Sequence, residues 1–241
     1  MTARVNSAEG GTNGVTVTTA NSGGASGDAW DSMYVPSGQS ITFASAAAQK
    51  GTLGYRMVYG SASGVGANVR WTLTGWPQLR ARWYMRFSAY PTGMASFCYV
   101  TNAGNADAIA WLRMDASGKF IVQGDWNDVD LFRSAAAIPL NTWIRVELAM
   151  VPGTTISNGV IKFAYATADA APTETYSNTS ANLDVYGNLG RLYVGKVDGP
   201  WNATVDFDDL AADDADVATF IGASSAGPVI VDPTPAPVPP A

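Results

Sequence analysis

Three short stretches hold side chains able to grip a polar ligand, and each alternates them with apolar residues. Arg82, Tyr84 and Arg86 occupy every second position of 80–87, with Ala81, Trp83, Met85 and Phe87 between them. Trp111 and Arg113 repeat the arrangement, as do Trp143, Arg145 and Glu147, the last set opposed by Ile144, Val146, Leu148 and Met150. Successive side chains on an extended strand point to opposite faces, so each polar set shares one face. If these strands are neighbours in one sheet, that face is paved with rings, guanidinium groups and a carboxylate. Sugars are held by such a surface, because flat rings meet their CH faces and bidentate groups meet vicinal hydroxyls. Two plainer uses stand beside this one: Arg stems packed along Trp faces as a covering layer, and contact with another subunit.

The elements that must position these residues are strands. The 241 residues include 25 Gly and 13 Pro, too much punctuation for long helices. Alternating runs recur at 15–19, 29–34, 41–44, 55–59, 67–73, 80–87, 95–101, 107–114, 119–124, 129–134, 142–151, 160–167, 189–197 and 203–212. Turn-forming clusters such as Asp115–Gly118 and Val151–Gly153 separate them. Many short strands at near-regular spacing predict an all-β fold, a two-sheet antiparallel jelly-roll sandwich. Only 45–50 and 211–220 read as helical turns. The sandwich is expected over 1–221. The tail 222–241 ends in Asp232-Pro-Thr-Pro-Ala-Pro-Val-Pro-Pro-Ala241, which lacks amide donors and is expected to be extended, either solvated or docked on a neighbouring subunit.

Composition closes several routes. The formal charge of −6, from 14 basic and 20 acidic residues, disfavours nucleic acid as a partner. No apolar run reaches the roughly 18 residues of a membrane span. The opening Met1–Asn6 lacks the apolar core of a secretory signal, which predicts synthesis in a cytoplasm and exit without a leader. The chain has no His, excluding Ser-His-Asp and Cys-His arrangements and His-ligated zinc. Its one Cys, Cys98, cannot form an intrachain disulfide and reads as a small buried hydrophobe. The loop Gly124–Asp130 looks metal-like but fails the EF-hand spacing at Val129 and reads as a hairpin with exposed acids. Trp76 and Trp201, beside Pro77 and Pro200, are either exposed loop-tip aromatics or buried plugs.

The opening Asn6–Asp31, with Glu-Gly-Gly-Thr-Asn-Gly and Asn-Ser-Gly-Gly-Ala-Ser-Gly-Asp, resembles a stretch of concanavalin A-like (LamG-like) jelly-roll proteins. Many of these are minor tail proteins of phages that infect actinobacteria. Thr142–Glu147 and Val205–Leu210 are similar to recurring strands of the same fold, so the likeness spans roughly 4–212. It implies a virion or cell-surface setting, with other virion proteins and a host-surface glycan as partners and many copies per particle. Related carbohydrate-binding modules also imply a structural Ca²⁺ held by Glu9 with Asp206, Asp208 and Asp209. Terminal strands lying side by side let carboxylates from both ends supply its oxygen ligands. Seven Asp and no Lys or Arg populate 198–216, a cluster that needs a cation or solvent. The plainer reading is a solvated acidic edge.

Catalysis on this frame is not expected from these residues. Glucanases of this fold carry Glu-x-Asp-x-x-Glu on one strand, whereas Glu9, Glu147 and Glu174 are the only Glu here and are scattered. Jelly-roll lyases use a His or Tyr base with Arg and Gln; Tyr84 with Arg82 and Arg86 imitates part of that, but no Gln shares the strand. The expectation is therefore a non-catalytic glycan-adhesion module on a phage particle. A virion structural or decoration protein is the alternative, with a polysaccharide lyase or glycosidase behind it.

Overall fold

Alternation becomes strand nearly everywhere it occurs. A computed structural model describes residues 2–60, 64–104, 107–124, 129–183 and 188–224. The centre of the 124–130 loop and the Pro-rich tail beyond Ser224 lie outside the described residues. The strands run β1 (Ala3–Asn6), β2 (Ser32–Tyr34), β3 (Ser40–Ala44), β4 (Gly54–Val58), β5 (Asn68–Thr72), β6 (Leu79–Phe87), β7 (Ala95–Asn102) and β8 (Ala108–Met114). They continue as β9 (Phe120–Gly124), β10 (Val129–Arg133), β11 (Ile144–Val151), β12 (Gly159–Thr167), β13 (Glu174–Ala181), β14 (Leu189–Asp198) and β15 (Thr204–Asp213).

Two antiparallel sheets result. The first, in the order β13-β12-β11-β6-β15-β4-β3, also takes β1 against β15; the second is β10-β9-β8-β7-β14-β5-β2. The first and last strands therefore meet in the first sheet, where Ala3–Asn6 pair with Asp213–Leu210. One half of each alternation fills the space between the sheets. Trp83, Met85 and Phe87 of β6, Val146 and Leu148 of β11, Val69 and Trp71 of β5, and Leu192 and Val194 of β14 are all buried there. Removing that apolar area from water is the main favourable term for such a sandwich. Cys98 is one of these core residues, and Trp76 and Trp201 are buried plugs rather than exposed tips. Among the described residues no helix is long and apolar enough to cross a membrane.

Of the two helical turns expected, one forms and one does not. Residues 45–50 give only a single 3₁₀ turn, Ser45–Ala47. Residues 211–220 give no helix: β15 runs to Asp213, and the Asp213 and Asp216 carboxylates then accept from the amides of Ala215 and Ala218. Such local side-chain bonds offer the backbone an alternative to a helix.

Candidate functional site

The residues named from sequence divide between two sheets. Arg82, Tyr84 and Arg86 of β6 and Arg145 and Glu147 of β11 do share the outer face of the first sheet, paired in register as Tyr84 with Arg145 and Arg82 with Glu147. Trp143 precedes β11 and lies 4.9 Å from the Arg86 guanidinium carbon. Trp111 and Arg113, on β8, belong to the outer face of the second sheet. The expectation of one continuous glycan surface is thus corrected. Alternation fixes which side of a strand a residue faces, not which sheet the strand joins.

Most of the first-sheet group is also covered. Arg82, Tyr84, Arg145 and Glu147 are at most 5% exposed. The chain beyond β15 crosses this face as a strap: Thr219 accepts from Arg80, Ala218 from Lys162, the Gly222 amide donates 2.7 Å to Glu147, and the Ser224 amide donates 3.0 Å to the Tyr84 hydroxyl. Beneath the strap, Arg145 Nε donates to Glu147 at 2.9 Å and Arg82 Nη1 to Asp209 at 2.9 Å. Tyr84 donates to Asp169, which also pairs with Lys50. The middle of this face is filled from within the chain.

The carboxylates expected to share a cation do not converge. Glu9 accepts from the amides of Thr52 and Leu53 and from the Thr52 hydroxyl. Asp206 answers Arg56 and Arg86, and Asp209, placed by a positive-φ bulge (φ 50°), answers Arg82. Asp208 is fully buried and accepts from the amides of Gln49 and Lys50. No group of three potential ligands forms among the described residues.

Burial pushes the Asp208 carboxyl up to about 8, with nearby Asp209 adding to the shift and the amide bonds opposing it. Because the folded state binds this proton more tightly than the unfolded chain does, the associated stability is complete below about pH 4. It is lost as pH rises through about 8. Asp208→Asn, which keeps an acceptor for the two amides and removes the charge, is therefore expected to unfold near the parent temperature at pH 4. It should unfold above the parent at pH 9, as followed by thermal circular dichroism.

The second sheet presents a different surface, of which the sequence reading had singled out only Trp111 and Arg113. Register aligns Arg70 of β5, Tyr193 of β14, Tyr99 of β7, Trp111 of β8 and Gln123 of β9 in one row. The rings are not laid flat. Tyr193 and Tyr99 stack at 4.0 Å between centroids, and Tyr99 and Trp111 at 4.7 Å. Arg70 lies over Tyr193 at 4.8 Å and Arg113 over Trp111 at 4.8 Å. Rings that spend their faces on one another turn edges outward, and ring edges carry the positive part of the quadrupole. The row offers hydroxyls, guanidinium N–H groups and ring edges, a surface rich in donors.

Among the described residues its charge is uncompensated. Each other arginine of the chain pairs with a carboxylate. Arg70, Arg113 and Arg191 have no carboxylate at ion-pair distance among the described residues, and all three face this side. Arg113 Nε and Arg191 Nε are buried without a hydrogen-bond partner. Tyr99 and Tyr193 are hydrogen-bonded and pushed apart in acidity. Burial raises both hydroxyls, and the bond with Tyr193 raises Tyr99 further. For Tyr193, bonds with Tyr99 and Arg191 and the charges of Arg70 and Arg191 outweigh burial and lower it. Just beyond, Gly195 adopts φ 114°, where a Cβ would meet the Ala67 carbonyl oxygen at 2.6 Å. The irregular pairing of β14 with β7 from there onward bends the strand past Tyr193.

In sequence the chain matches no family model and no curated protein. In shape it matches solved structures. The endo-β-1,4-glucuronan lyase of Trichoderma reesei is similar with a TM-score of 0.59 at 14% identity, over 86% of this chain and 93% of that one. An alginate lyase of Aplysia kurodai gives 0.57 at 10%, over 76% and 91%. The cellulose-induced protein Cip1 gives 0.59 at 14%, over 81% and 94%. The fold is a jelly-roll sandwich of the concanavalin A-like kind. At these identities the likeness speaks for the fold alone. It nevertheless corrects the expectation of a chain that is not an enzyme, because this is a frame on which polysaccharide lyases are built.

Proposed function

We propose that the outer face of the second sheet holds an anionic, uronate-bearing polysaccharide. One observation supports this above the rest: the three arginines that have no carboxylate partner among the described residues converge on a single face of a chain whose net charge is −6. Guanidinium groups match carboxylates in bidentate geometry, and the stacked row adds hydroxyl donors between them. Four inter-strand spacings separate Arg70 from Gln123, about 19 Å, enough for several sugar rings side by side. The uronate polymers named for the lyases of like fold agree with this ligand chemistry. The resemblance of Asn6–Asp31 to phage minor tail proteins supports a host-surface glycan as the natural target, where many copies add avidity.

The stacked Tyr99–Tyr193 pair, with Arg70 over Tyr193, favours a second reading, cleavage of the same polymer by β-elimination. Arg70 and Arg191 would hold the uronate carboxylate, and Tyr193 would take the proton from the adjacent C5. Breaking of the C4–O4 bond leaves a C4–C5 double bond, and Tyr99 returns a proton to the departing oxygen.

The test is calorimetric titration with polyglucuronate, polymannuronate and a neutral glucan, run beside ultraviolet detection of unsaturated uronate. The binding reading expects heat from the uronans only, weakening steeply with salt. Equal binding of the neutral glucan, or none of any polymer, contradicts it. The elimination reading expects absorbance that Tyr193→Phe abolishes, and falls if the parent gives none.

A further inference from the structure

On the opposite side of the sandwich, away from the bonds of the described strap, a cavity of about 320 Å³ opens on the outer face of the first sheet, lined by Arg56, Arg86, Ser88, Asn141, Thr204 and Asp206. We propose that it is a second, independent site for one small oxyanion, a sugar carboxylate or a phosphate. Register places Arg56, Asp206 and Arg86 in a line across β4, β15 and β6. Asp206 accepts from Arg56 through Nε at 2.8 Å and Nη2 at 3.1 Å, and from Arg86 through Nε at 3.1 Å and Nη2 at 2.5 Å. Those four bonds use the acceptor capacity of one carboxylate. Two guanidinium groups around one carboxylate leave a surplus positive charge, and neither Nη1 donates to a described residue.

The rest of the lining suits the same ligand. Arg86 is fixed further by the Ala46 carbonyl and by the Trp143 ring over its guanidinium, so its fork is oriented before any ligand arrives. Ser88 and Thr204 clasp through Ser88 N to Thr204 O at 3.0 Å and Thr204 N to Ser88 Oγ at 2.9 Å, which leaves their hydroxyl hydrogens available. Asn141 sits at the rim with φ 54°, anchored by its amide to the Phe87 carbonyl at 2.9 Å. A left-handed backbone at a non-glycine residue costs free energy and collects at ligand sites. The volume lies in the range of small-ligand clefts.

The experiment is nuclear magnetic resonance of the arginine Nε–H groups in the full chain. Sodium glucuronate, inorganic phosphate, glucose and sodium chloride are titrated separately at matched ionic strength. The Arg56 and Arg86 signals are expected to move saturably with glucuronate or phosphate, the responding arm identifying the source, and not with glucose or chloride. Arg80, paired with Asp213 outside the cavity, should stay in place. Arg56→Gln is expected to weaken binding about tenfold, the loss of one charged hydrogen bond. Asn141→Gly, which suits the positive φ and so keeps the fold, should weaken it about threefold. Arg191→Gln, on the other sheet, should leave it unchanged. Drift equal at Arg80, saturation untouched by both cavity variants, or loss on Arg191→Gln would each overturn the proposal.

Discussion

Arg191→Gln is expected to weaken uronate oligosaccharide binding by about 10- to 100-fold while leaving thermal unfolding almost where it was. The two effects separate because of how this guanidinium is placed. A hydrogen bond to a charged group contributes about 1.5–3 kcal/mol, and every 1.4 kcal/mol is a factor of ten in affinity. On the stability side, no carboxylate is left unpaired by the change, since none pairs with Arg191 among the described residues. Removing one of three like charges from the face even relieves repulsion. The contrast is Arg80→Gln, which strands Asp213 beside the strap and should lower stability with no effect on binding to the second sheet. Titration calorimetry and thermal denaturation of both variants check the pair. A fall in stability for Arg191→Gln with affinity unchanged would make it a structural arginine.

Trp201→Ala should cost the fold roughly 3–5 kcal/mol. Trp201 is fully buried, stacked on Phe87 at 5.6 Å and tilted against Tyr59 at 5.8 Å. Its indole N–H donates 2.9 Å to the Ala89 carbonyl. Alanine removes the ring from between the sheets and leaves that carbonyl without its donor, so a cavity and an orphaned polar group add together. Domains of this kind are stable by about 5–15 kcal/mol, so a large part of the margin would go. Trp201→Phe, which keeps a ring against Phe87 but not the donor, should lose much less. Urea denaturation measures both; near-equal losses would mean the carbonyl bond, not the packing, dominates.

Much of the frame was legible because alternation is a local property. Arg80–Phe87 and Ile144–Val151 read directly as strands with one buried face, and they are the strands β6 and β11. What was missed had no apolar half to betray it: β13 is Glu-Thr-Tyr-Ser-Asn-Thr-Ser-Ala, a polar edge strand. Val15–Thr19 failed in the opposite sense. It bonds to β3 through Val17 and Phe43 amides but closes only one bridge, Thr16 with Thr42.

The site was legible only in fragments, because it depends on pairing between strands far apart in sequence. Arg191 and Tyr193 are visibly on one face of their strand, and Tyr99 on one face of another. Nothing local says that Tyr193 will stand between Arg70 and Tyr99 in one row. Likewise Arg82 and Glu147 were rightly placed together, yet their covering by Gly222 and Ser224 is a tertiary fact.

The account is tested most directly by the indole and arginine N–H resonances of the chain titrated with a uronate tetrasaccharide. It predicts that the Trp111 indole and the Arg70, Arg113 and Arg191 Nε–H signals move together along one saturating curve. Movement confined to the covered strap face, at Arg82 and Arg145, or no movement at all, would contradict it.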